Sequence, residues 1–575
     1  GKHLVVWTTT PWTLLANVAL AVGENIDYVL IKNTRNIKDG EILVDYLILA
    51  ESRLSALDGE YEILQKFKGS ELIGTEYEQI LPFAKIDKEA FPQALTVLAG
   101  DFVSTEDGSG IVHLAPAFGE DDYQMSKKYK IPFIQPVTPD GHFTEDMGEF
   151  AGRAIKTFTY DDRTEEGADK DIIKYLKSVG KIYRATFDYL HSYPHCWRTG
   201  NPIMYYARES WFIKSPEYKD KMIELNKTIN WQPKEIGEGR FGNWLEEVKE
   251  WSLSRDRYWG TPLPIWVNVE DKNDIFAIGS IDELKQGFYE YEDGTRVPLK
   301  ESNFEIDLHK PFVDKVVFIK DGKTYKRTNE VIDVWFDSGS MPFAQFHYPF
   351  ENKELFESQF PADFIAEGVD QTRGWFYTLH NIATALFDKP AFKNIVVNEL
   401  ILDSKGIKMS KSKGNVIDPF EIMEKFGADA VRWYLFVNNP PWKPTLFNPD
   451  DLARTVISDF LRSLTNTYSF FALYANIDNF DPNLPEIPYD KKPKIDKWII
   501  SRTYSLIKDY TAFMNEYELT KAHRAIQDFI IYELSNWYIR RNRRRFWKGE
   551  NDEEKIMAYQ TLYFVLKNVV LLISS

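Results

Sequence analysis

Cysteine is almost absent from this chain of 575 residues, which contains one thiol, Cys196, and nine histidines. A single cysteine excludes a disulfide framework and any multi-cysteine zinc site within the chain. His191 and His195 lie close to the thiol, but a structural zinc site needs a fourth ligand, and none occurs nearby at a usual spacing. We therefore expect no zinc site, and a reducing, cytoplasmic location is the simplest compartment.

The sequence also lacks a long apolar run and an excess of positive charge. Its longest apolar stretch, residues 562–573, is interrupted by Lys567 and Asn568. This stretch is shorter than the about 20 residues that cross a bilayer, so we expect no membrane partner. With 70 basic and 87 acidic residues, the net charge is −17. If nucleic acid binds, it must therefore bind through local basic patches and not through the whole surface.

A lysine-rich stretch is the most distinctive feature that the sequence does contain. Residues 401–415 read ILDSKGIKMSKSKGN and combine four lysines and three serines with Gly406 and Gly414. Such a stretch cannot bury itself, and the two glycines allow the backbone to swing. Mobile ammonium groups suit a polyphosphate that is gripped and then released. The alternative interpretation is a solvated surface turn.

Polar residues that could line a cleft occur in two segments early in the chain, although an ordinary structural role is the alternative. The run KHLVVW predicts a buried strand, and the three threonines that follow it, residues 8–10, continue it as far as Pro11. Their hydroxyls are suited to line a polar cleft and orient water. His113 and Asp122 occur in the second segment, GSGIVHLAPAFGEDDY. Taken alone, they are more often a hydrogen-bonded strand histidine and a charge at a helix N-terminus.

Secondary-structure patterns divide the chain into three parts. Many short strand-like runs separated by turns predict a β-rich first part up to about residue 160, followed by a helix over residues 169–179. From about residue 251 the pattern is mixed α/β, with buried strands at residues 331–335 and 364–365 and a charged, loop-rich insertion at residues 267–330. From about residue 450 the chain is predicted to be helical.

An acidic, glycine-containing turn, AEGVDQTRGW, follows the strand at residues 364–365. A helix comes next, and its predicted apolar face consists of Phe376, Leu379, Ala383 and Leu386. A strand, an acidic turn and a helix in this order are how an open α/β sheet presents ligands at the carboxyl edge of its strands. By sequence alone, core packing is the simpler interpretation of the nearby Trp335 and Trp375.

Arginines and aromatic residues alternate in the helical part, in the run ELSNWYIRRNRRRFW. Arg541, Arg544, Arg545 and Lys548 are predicted to share one helix face, with Trp537 beside them. Arginine interleaved with aromatic residues predicts contacts with RNA phosphates and bases. A bare arginine run is more often a solvated face, and that alternative stays open.

These motifs resemble those of one enzyme family. Residues 408–412, KMSKS, are identical to the signature loop of class I aminoacyl-tRNA synthetases. Residues 7–17 (WTTTPWTLLAN) and 108–123 resemble the editing domain of isoleucyl-tRNA synthetases, whereas the valyl and leucyl relatives carry arginine at the position of Thr10. One departure is Leu15, where the isoleucyl pattern usually has proline. The resemblance extends over essentially the whole chain.

The resemblance implies a multidomain α/β plus α fold. It predicts an inserted, β-rich editing domain, the second half of a Rossmann-like catalytic domain and a C-terminal anticodon-binding α-helical bundle. The predicted boundaries are residues 1–190 for the editing domain, 191–250 for a β connection back to the catalytic domain, 251–404 for the second catalytic half with its insertion at about 267–330, 405–449 for the KMSKS loop and a stem-contact region, and 450–575 for a truncated anticodon-binding domain.

The resemblance also implies an activity and its partners. Enzymes of this family activate isoleucine with ATP and Mg²⁺ and transfer it to tRNA(Ile), and we expect a monomer. An absent methylene changes binding by only about 1–3 kcal/mol. A second, hydrolytic site is therefore implied, which removes valine from mischarged tRNA.

The functional residues of the family carry over to four groups of positions. The residues implied to bind ATP are Lys408, Met409, Ser410, Lys411 and Ser412, with Lys408 and Lys411 as the catalytic pair. The residues implied to contact the aminoacyl-adenylate are Glu367, Gly368, Asp370, Gln371, Trp335 and Trp375. The residues implied to edit are Thr8, Thr9, Thr10, Asn17, His113 and Asp122. The residues implied to bind tRNA are Trp537, Arg541, Arg544 and Arg545.

One element of the family pattern is missing. Class I synthetases carry a His-x-Gly-His element early in the first half of the catalytic domain, and no such tetrapeptide occurs here. The lysines alone hold one side of the ATP phosphates and compensate the transition-state charge only in part. We therefore expect negligible isoleucine-dependent pyrophosphate exchange from this chain by itself. Two alternatives stay open: a hydrolase that only deacylates mischarged tRNA, and an RNA-binding piece whose catalytic residues are idle.

Overall fold

The computed structural model describes residues 1–36, 41–187, 189–301, 303–547 and 552–574. These residues form two compact units, Gly1–Glu209 and Ser210–Ser575. The first unit is built mainly from strands, and the second contains a mixed α/β part followed by helices. The finer division of the chain into five domains remains a prediction.

Short strands dominate the first unit. Its strands are β1 (Lys2–Leu4), β2 (Ala19–Val22), β3 (Asp27–Asn36), β4 (Ile42–Ala50), β5 (Glu60–Lys68), β6 (Val97–Ala99), β7 (Ile111–Leu114), β8 (Phe158–Tyr160) and β9 (Arg163–Glu165), and its α-helices are α1 (Glu120–Tyr129) and α2 (Asp169–Ser178). They form a four-stranded sheet in the order β1-β4-β3-β5, a three-stranded sheet in the order β6-β2-β7, and a hairpin of β8 and β9. The predicted β-rich part and the predicted helix at residues 169–179 are confirmed.

Strand β2 is the middle strand of the three-stranded sheet. It pairs parallel with β6 and antiparallel with β7, and all four of its residues are buried. A strand that is buried on both faces is apolar throughout, as the sequence ALAV is. The pairing with β7 sets His113 opposite Leu20. It therefore places the second polar segment of the sequence beside the first.

The first residues of the chain differ from the predicted buried strand. Strand β1 ends at Leu4, and Lys2 and His3 are exposed, because β1 is the edge strand of its sheet. The threonines at 8–10 are irregular, and Pro11 begins a 3-10 helix, Pro11–Ala16. Proline suits the first position of a helix, where its missing N–H has no partner to lose. The chain therefore turns at the threonines.

Strands are short and numerous in the α/β part of the second unit. They are β10 (Phe212–Ile213), β11 (Asn230–Gln232), β12 (Trp251–Ser252), β13 (Ser254–Arg255), β14 (Ile265–Asn268), β15 (Ile275–Ala277), β16 (Phe288–Glu290), β17 (Arg296–Pro298), β18 (Val316–Lys320), β19 (Lys323–Arg327), β20 (Val331–Ile332), β21 (Ala362–Gly368), β22 (Phe392–Asn398), β23 (Ile401–Leu402) and β24 (Thr445–Leu446).

The helices of the second unit lengthen along the chain. They are α3 (Lys219–Asn226), α4 (Gly242–Glu246), α5 (Ile281–Leu284), α6 (Lys310–Val313), α7 (Val334–Gly339), α8 (Met341–Ala344), α9 (Lys353–Gln359), α10 (Trp375–Phe387), α11 (Pro419–Phe426), α12 (Ala428–Asn438), α13 (Pro449–Leu452), α14 (Arg462–Ile477), α15 (Lys494–Asn515), α16 (Leu519–Asp528), α17 (Arg540–Trp547) and α18 (Glu553–Ile573). The stretches Ile236–Phe241, Ala453–Leu461 and Phe529–Ile539 are π-helical.

A parallel sheet in the order β11-β22-β21 forms the centre of the α/β part. Its middle strand buries Phe392 and Ile395 in one core with Phe376 of α10. The predicted strand at residues 364–365 lies within β21, and the predicted helix is α10, so both are confirmed. Leu386, in the last turn of α10, is exposed and does not join the predicted apolar face.

The insertion that was predicted to be loop-rich is a folded sheet. Strands β14 to β19 form a six-stranded antiparallel sheet in the order β15-β14-β19-β18-β16-β17. Trp266, Phe318 and Tyr325 belong to its own apolar core, whereas Lys326 and Glu290 form an exposed ion pair at 2.6 Å. One face of an antiparallel sheet is commonly solvated. The charged residues of the solvated face made this segment read as a charged loop, so its strands were not recognised in the sequence.

The predicted strand at residues 331–335 is shorter than expected. Strand β20 ends at Ile332, and Asp333 then caps α7 by accepting a hydrogen bond from the Trp335 N–H at 3.2 Å. Aspartate at this position favours the start of a helix. Trp335 therefore lies in the first turn of a helix and not in a strand.

The predicted helical part is confirmed from Pro449 onward. Ile499 of α15, Tyr538, and Leu562 and Val569 of α18 are buried in one core. By length and composition, α18 is the one helix of the described residues that could cross a membrane. It passes this test because the helix begins at Glu553, before the apolar run that was noted in the sequence. Its buried residues pack among the neighbouring helices, as in a core helix.

Candidate functional site

Three threonine hydroxyls and one imidazole form a hydrogen-bonded chain in the first unit. The hydroxyl oxygens of Thr8 and Thr10 are 3.3 Å apart, and those of Thr10 and Thr13 are 3.2 Å apart. Thr13 Oγ1 lies 3.0 Å from Nε2 of His113. The 3-10 helix sets this geometry, because the Thr13 N–H donates to the Thr10 carbonyl at 3.0 Å. The structure therefore joins the two polar segments of the sequence.

Thr13 was missed by the sequence analysis. Its side chain is buried, and it is the only link between the threonine run and His113 among the hydrogen bonds described. The signal was available, because a threonine three residues after Thr10 returns to the same side of one helical turn.

His113 is a neutral group at physiological pH. Burial lowers the pKa of its imidazole to about 4. The Thr13 hydroxyl donates its one proton to the Thr10 carbonyl at 2.8 Å, so it accepts from the Nε2–H of His113. Within the described residues the buried Nδ1 has no hydrogen-bond partner. This leaves an acceptor nitrogen that can orient a water or a substrate N–H.

Asp122 is a fixed carboxylate near the end of β7. It lies in the first turn of α1, and its Oδ2 accepts a hydrogen bond from the Ala115 N–H at 2.8 Å. Burial raises the pKa of Asp122, the bond from Ala115 opposes this shift, and the neighbouring Asp121 adds to it. The described part of the chain shows no ion pair to this carboxylate. It is therefore tied to Ala115, which follows β7 two positions beyond His113, and it can accept a cation.

Asn17 corrects the predicted set of editing residues. Its Oδ1 accepts from the Tyr77 hydroxyl at 2.7 Å, and its Nδ2 donates to the Ala19 carbonyl at 3.1 Å. The side chain is buried. Since both ends of the amide are already bonded, Asn17 holds the end of the 3-10 helix against β2 and does not present its amide to a cleft.

A cavity of about 630 Å³ lies beside the threonine chain. Thr8 and Thr9 line it together with Trp7, Tyr189 and His191. The rings of Trp7 and Tyr189 meet edge to face with centroids 5.8 Å apart. A volume of this size is within the range of sites for small ligands, roughly 300–1,000 Å³.

The second predicted site lies at the carboxyl end of the parallel strand β21. Glu367 and Asp370 present exposed carboxylates there, on either side of Gly368. Gln371 accepts from the Trp375 N–H at 2.9 Å and donates to Asp370 Oδ2 at 3.1 Å. The turn before α10 is therefore organised by its own side chains, at the sheet edge where open α/β folds bind ligands.

Trp335 and Trp375 meet at this turn from two different helices. A Cβ atom added at Gly374 would lie 3.3 Å from the Trp335 ring, so glycine permits this close approach. The Trp375 indole N–H donates to the Ser338 carbonyl of α7 at 3.0 Å. Trp335 remains 41% exposed. Trp335 is therefore accessible to a ligand, whereas Trp375 packs against the apolar core of the α/β part, as the sequence suggested.

The lysine-rich loop is folded around one carboxylate. Asp403 Oδ1 accepts from the N–H groups of Lys405 (2.9 Å) and Ile407 (2.8 Å), and Oδ2 accepts from Asn415 Nδ2 at 2.9 Å. Asn415 Oδ1 in turn accepts from the Ser410 N–H at 3.0 Å. The Asn415 bond is the largest cause of the lowered pKa of Asp403. We call this set of bonds the loop clasp.

The clasp leaves the signature lysines free to reach a ligand. Lys408 and Lys411 are exposed, and Met409 packs against the core of the helical part. Gly406 and Gly414 have φ angles of +77° and +65°, so both glycines are used in turns. The side chain of Ser412 lies outside the described part of the chain.

Removing the clasp should open the loop. Asp403→Ala removes three hydrogen bonds to a charged acceptor, so tryptic cleavage at the loop lysines should rise by at least about tenfold. Limited proteolysis followed by mass spectrometry measures the rate at each lysine. Ser404→Ala, a change at an exposed neighbour, is the control and should cleave at the parent rate. Equal cleavage of the Asp403 variant and its parent would show that the clasp does not hold the loop.

The predicted RNA-binding arginines divide into two sets. Trp537, Arg541 and Arg544 are exposed, and the Arg541 guanidinium carbon lies 4.5 Å from the centroid of the Trp537 ring. Arg545 is only 9% exposed, and its two terminal nitrogens donate to the two oxygens of Asp496 at 2.7 and 2.8 Å. Consecutive helix residues point about 100° apart, so Arg545 can face the core although Arg544 is exposed. Because the guanidinium group of Arg545 is buried against Asp496, its predicted contact with tRNA is wrong. Lys548 lies outside the described residues.

The histidines around the lone cysteine do not gather into a metal site in the described structure. The Nδ1 atoms of His191 and His195 lie 3.1 and 3.0 Å from backbone carbonyls of their own segment. Across the described ranges, no three His, Cys, Asp or Glu side chains are placed to hold a metal ion. An isolated bridge between His195 and Pro202 replaces the strands predicted from residue 191, and strands resume at β10.

The fold and these sites define a class of enzyme. The family model described as tRNA synthetases class I (I, L, M and V) matches residues 1–444, and the model described as the anticodon-binding domain of tRNA ligase matches residues 496–574. The chain therefore belongs to the class I tRNA synthetases, with a helical anticodon-binding domain after the mixed α/β part.

Within this class, the similar curated proteins are isoleucine–tRNA ligases. That of Cytophaga hutchinsonii is 49% identical over 99% of this chain and 54% of its own length. That of Clostridium tetani is 49% identical over 100% of this chain and 52% of its own length, and that of Bacteroides fragilis is 44% identical over 100% and 55%. The resemblance to isoleucyl-tRNA synthetases is confirmed. The chain spans about half the length of the curated relatives it matches.

Proposed function

We propose that this chain supplies the lysine loop and the adenylate-binding turn for ligation of isoleucine to tRNA(Ile) through an isoleucyl-adenylate, and that it edits mischarged valyl-tRNA by hydrolysis. The observation that carries the proposal is the near 50% identity, over the whole chain, to enzymes named for isoleucine. The acidic turn after β21 and the clasped lysine loop support it, because both present the side chains that this chemistry needs. ATP with Mg²⁺, isoleucine and tRNA(Ile) are the substrates.

In the ligation step, the isoleucine carboxylate attacks the α-phosphorus of ATP and pyrophosphate leaves. Lys408 and Lys411 stabilise the charge that develops on the phosphates. Asp370 and Gln371 hold the adenylate at the sheet edge. The rings of Trp335 and Trp375 flank the isoleucine side chain.

In the editing step, water attacks the ester that joins valine to the terminal ribose. The α-ammonium group of the substrate pairs with the Asp122 carboxylate. The hydroxyls of Thr8, Thr9 and Thr10 and the free nitrogen of His113 orient the water and the ester, and the buried Thr13 hydroxyl holds Thr10 and the imidazole in place. These residues bind and orient, since His113 is neutral and the hydroxyls carry no charge.

A second candidate function is deacylation of mischarged tRNA without ligation. The observation that favours it is that every proposed editing residue lies in the one compact unit Gly1–Glu209. Two assays on the full chain separate the candidates: isoleucine-dependent pyrophosphate exchange and release of valine from valyl-tRNA(Ile). Exchange with deacylation supports both activities, and deacylation alone supports the hydrolase. If neither reaction occurs, the chain is a tRNA-binding protein at most.

The exposed arginines should contribute to tRNA affinity through phosphates. Replacing Arg541 and Arg544 together with alanine should weaken binding and reduce the slope of log K against log salt by about one unit per lost contact. Fluorescence titration at several salt concentrations measures the slope. Arg543→Ala is the matched control, because Arg543 is exposed on the same helix but lies about a third of a turn away from Arg544. An unchanged slope in the double variant would show that these arginines form a solvated face and do not contact phosphates.

A further inference from the structure

A second cavity, of about 430 Å³, lies in the helical part of the second unit. Its walls are the segment that precedes α15, the first turns of α15, and the middle of α18. Gln560 of α18 fixes that segment, because it accepts from the Ile487 N–H at 3.0 Å and donates to the Pro485 carbonyl at 2.9 Å. None of the residues assigned a role above lines this cavity.

Lys492 lines the cavity as a nearly buried cation. Its residue surface is 4% exposed. Its ion partner in the described structure is Glu486, whose Oε1 lies 3.7 Å from Nζ on a side chain that is 80% exposed. This separation exceeds a hydrogen bond. A buried ammonium group is unfavourable unless an anion or hydrogen-bond acceptors compensate it. The lining therefore contains a buried positive charge and the mostly exposed carboxylate of Glu486, and the buried ammonium group is the one that suits an anionic ligand.

A buried hydroxyl without a hydrogen-bond partner in the described structure also lines the cavity. Thr561 of α18 is fully buried, and within the described part of the chain its Oγ1 makes no hydrogen bond. Ser501 of α15 adds another hydroxyl to the lining. Buried polar atoms are almost always bonded in folded proteins. An unpaired hydroxyl and an ammonium group lining one cavity favour a ligand with several acceptor oxygens.

Aromatic rings also line the cavity. Tyr504 is 59% exposed, and its ring centroid lies 5.4 Å from that of Phe564. Tyr489, on the segment before α15, also lines the cavity and is exposed. Bases of single-stranded nucleic acid stack on such rings, and lysine pairs with the adjoining phosphates. A flat base joined to a phosphate matches both the rings and the cation.

We propose that this cavity binds one nucleotide of a single-stranded region of RNA, with its phosphate at Lys492 and its base against Tyr504 and Phe564. A free nucleotide offers the same chemistry. The match of residues 496–574 to an anticodon-binding domain favours RNA as the source. The identity of that RNA as tRNA(Ile) rests on the proposed function, whereas the nucleotide site itself does not.

Binding of uridine 5′-monophosphate and of a pentauridylate to the full chain tests the proposal. Uridine probes avoid competition from the proposed ATP site. Lys492→Met should weaken both probes by at least about tenfold, since a hydrogen bond to a charged group is lost. Lys491→Met and Lys494→Met remove exposed neighbouring lysines and should change the affinity by less than about twofold. Thr561→Val, which keeps the side-chain shape, should also weaken both probes.

Thermal unfolding distinguishes a binding lysine from a structural one. A buried ammonium group without a hydrogen-bonded partner lowers stability. Lys492→Met should therefore unfold at the parent temperature or above it while losing the ligand. If Lys492 were needed for the fold, the Lys492→Met variant would instead unfold at a lower temperature than the parent.

Four results would overturn the inference. The first two are that neither probe binds at millimolar concentration, or that Lys492→Met binds both probes as the parent does. The other two are that Lys491→Met loses as much affinity as Lys492→Met, or that Lys492→Met unfolds at a temperature well below that of the parent. If the monophosphate binds and the pentauridylate does not, RNA is the wrong source. Failure of both probes with normal valyl-tRNA deacylation rejects the inference alone. If the chain binds pentauridylate tightly but neither aminoacylates nor deacylates tRNA, the proposed function is rejected and the inference is kept.

Discussion

Replacing Asp122 with asparagine should reduce valyl-tRNA deacylation by at least about a hundredfold, because the substrate ammonium group loses its charged partner. Asp122→Ala should be at least as inactive. Both variants should fold, since this carboxylate makes one hydrogen bond, from the Ala115 N–H at 2.8 Å, and the loss of one such bond costs about 1–3 kcal/mol. Release of radiolabelled valine from valyl-tRNA(Ile) measures the rate.

The neighbouring acid provides a matched control. Asp121 lies in the same turn of α1 and is exposed, so Asp121→Asn should deacylate at nearly the parent rate. Deacylation by Asp122→Asn at the rate of its parent would contradict the role of Asp122 as the ammonium anchor. In that case the threonine chain and His113 would need another partner for the substrate.

The dependence of deacylation on pH should follow the same carboxylate. Burial raises the pKa of Asp122, and the carboxylate loses its charge as the pH falls through that value. Deacylation should therefore be lost on acidification at a higher pH than an exposed aspartate would give. The pKa of His113 is lowered to about 4, so His113 stays neutral above that pH. The Asp121→Asn variant should move the acidic limb to a lower pH, because the Asp121 charge contributes to the raised pKa of Asp122.

Replacing Asp496 with alanine should lower the free energy of unfolding of the helical part by about 3–5 kcal/mol, because it leaves the Arg545 guanidinium group buried without a counter-charge. The same change removes the acceptor of the Tyr538 hydroxyl, which lies 2.7 Å from Asp496. Urea denaturation followed by the helical circular dichroism signal measures the loss. The double change Asp496→Leu with Arg545→Met should cost less than Asp496→Ala alone, since no buried charge remains.

An exposed ion pair in the same bundle is the control. Arg502 donates twice to Glu533, at 2.6 and 2.7 Å, but both residues are accessible to water. Glu533→Ala should therefore cost less than about 1 kcal/mol. Similar losses for Glu533→Ala and Asp496→Ala would show that burial adds nothing to the Arg545 pair. Arg544→Ala should leave stability unchanged and weaken RNA binding, which is the opposite of the result for Arg545.

Local patterns were enough to predict several elements and groups of residues. The apolar spacing after the acidic turn predicted α10, because a helix with one buried face repeats its apolar residues every three to four positions. The KMSKS run and the threonine run were recognisable because each is contiguous, so no long-range contact is needed to assemble it. Trp335 and the insertion at residues 267–330 are two features whose structure the local patterns did not predict correctly. One aspartate ended a predicted strand by capping α7, and one charged face concealed a six-stranded sheet.

The sequence by itself determined the family, the strand–turn–helix at β21, and the positions of the loop lysines, since these depend on residues that are neighbours along the chain. Only the tertiary structure decided which of those residues act together. It joined Thr13 to His113, a hundred positions away, used both ends of the Asn17 amide within the fold, and buried Arg545 beside the exposed Arg544. Such outcomes depend on which side chain meets which partner and how much water is excluded, and no local pattern encodes either.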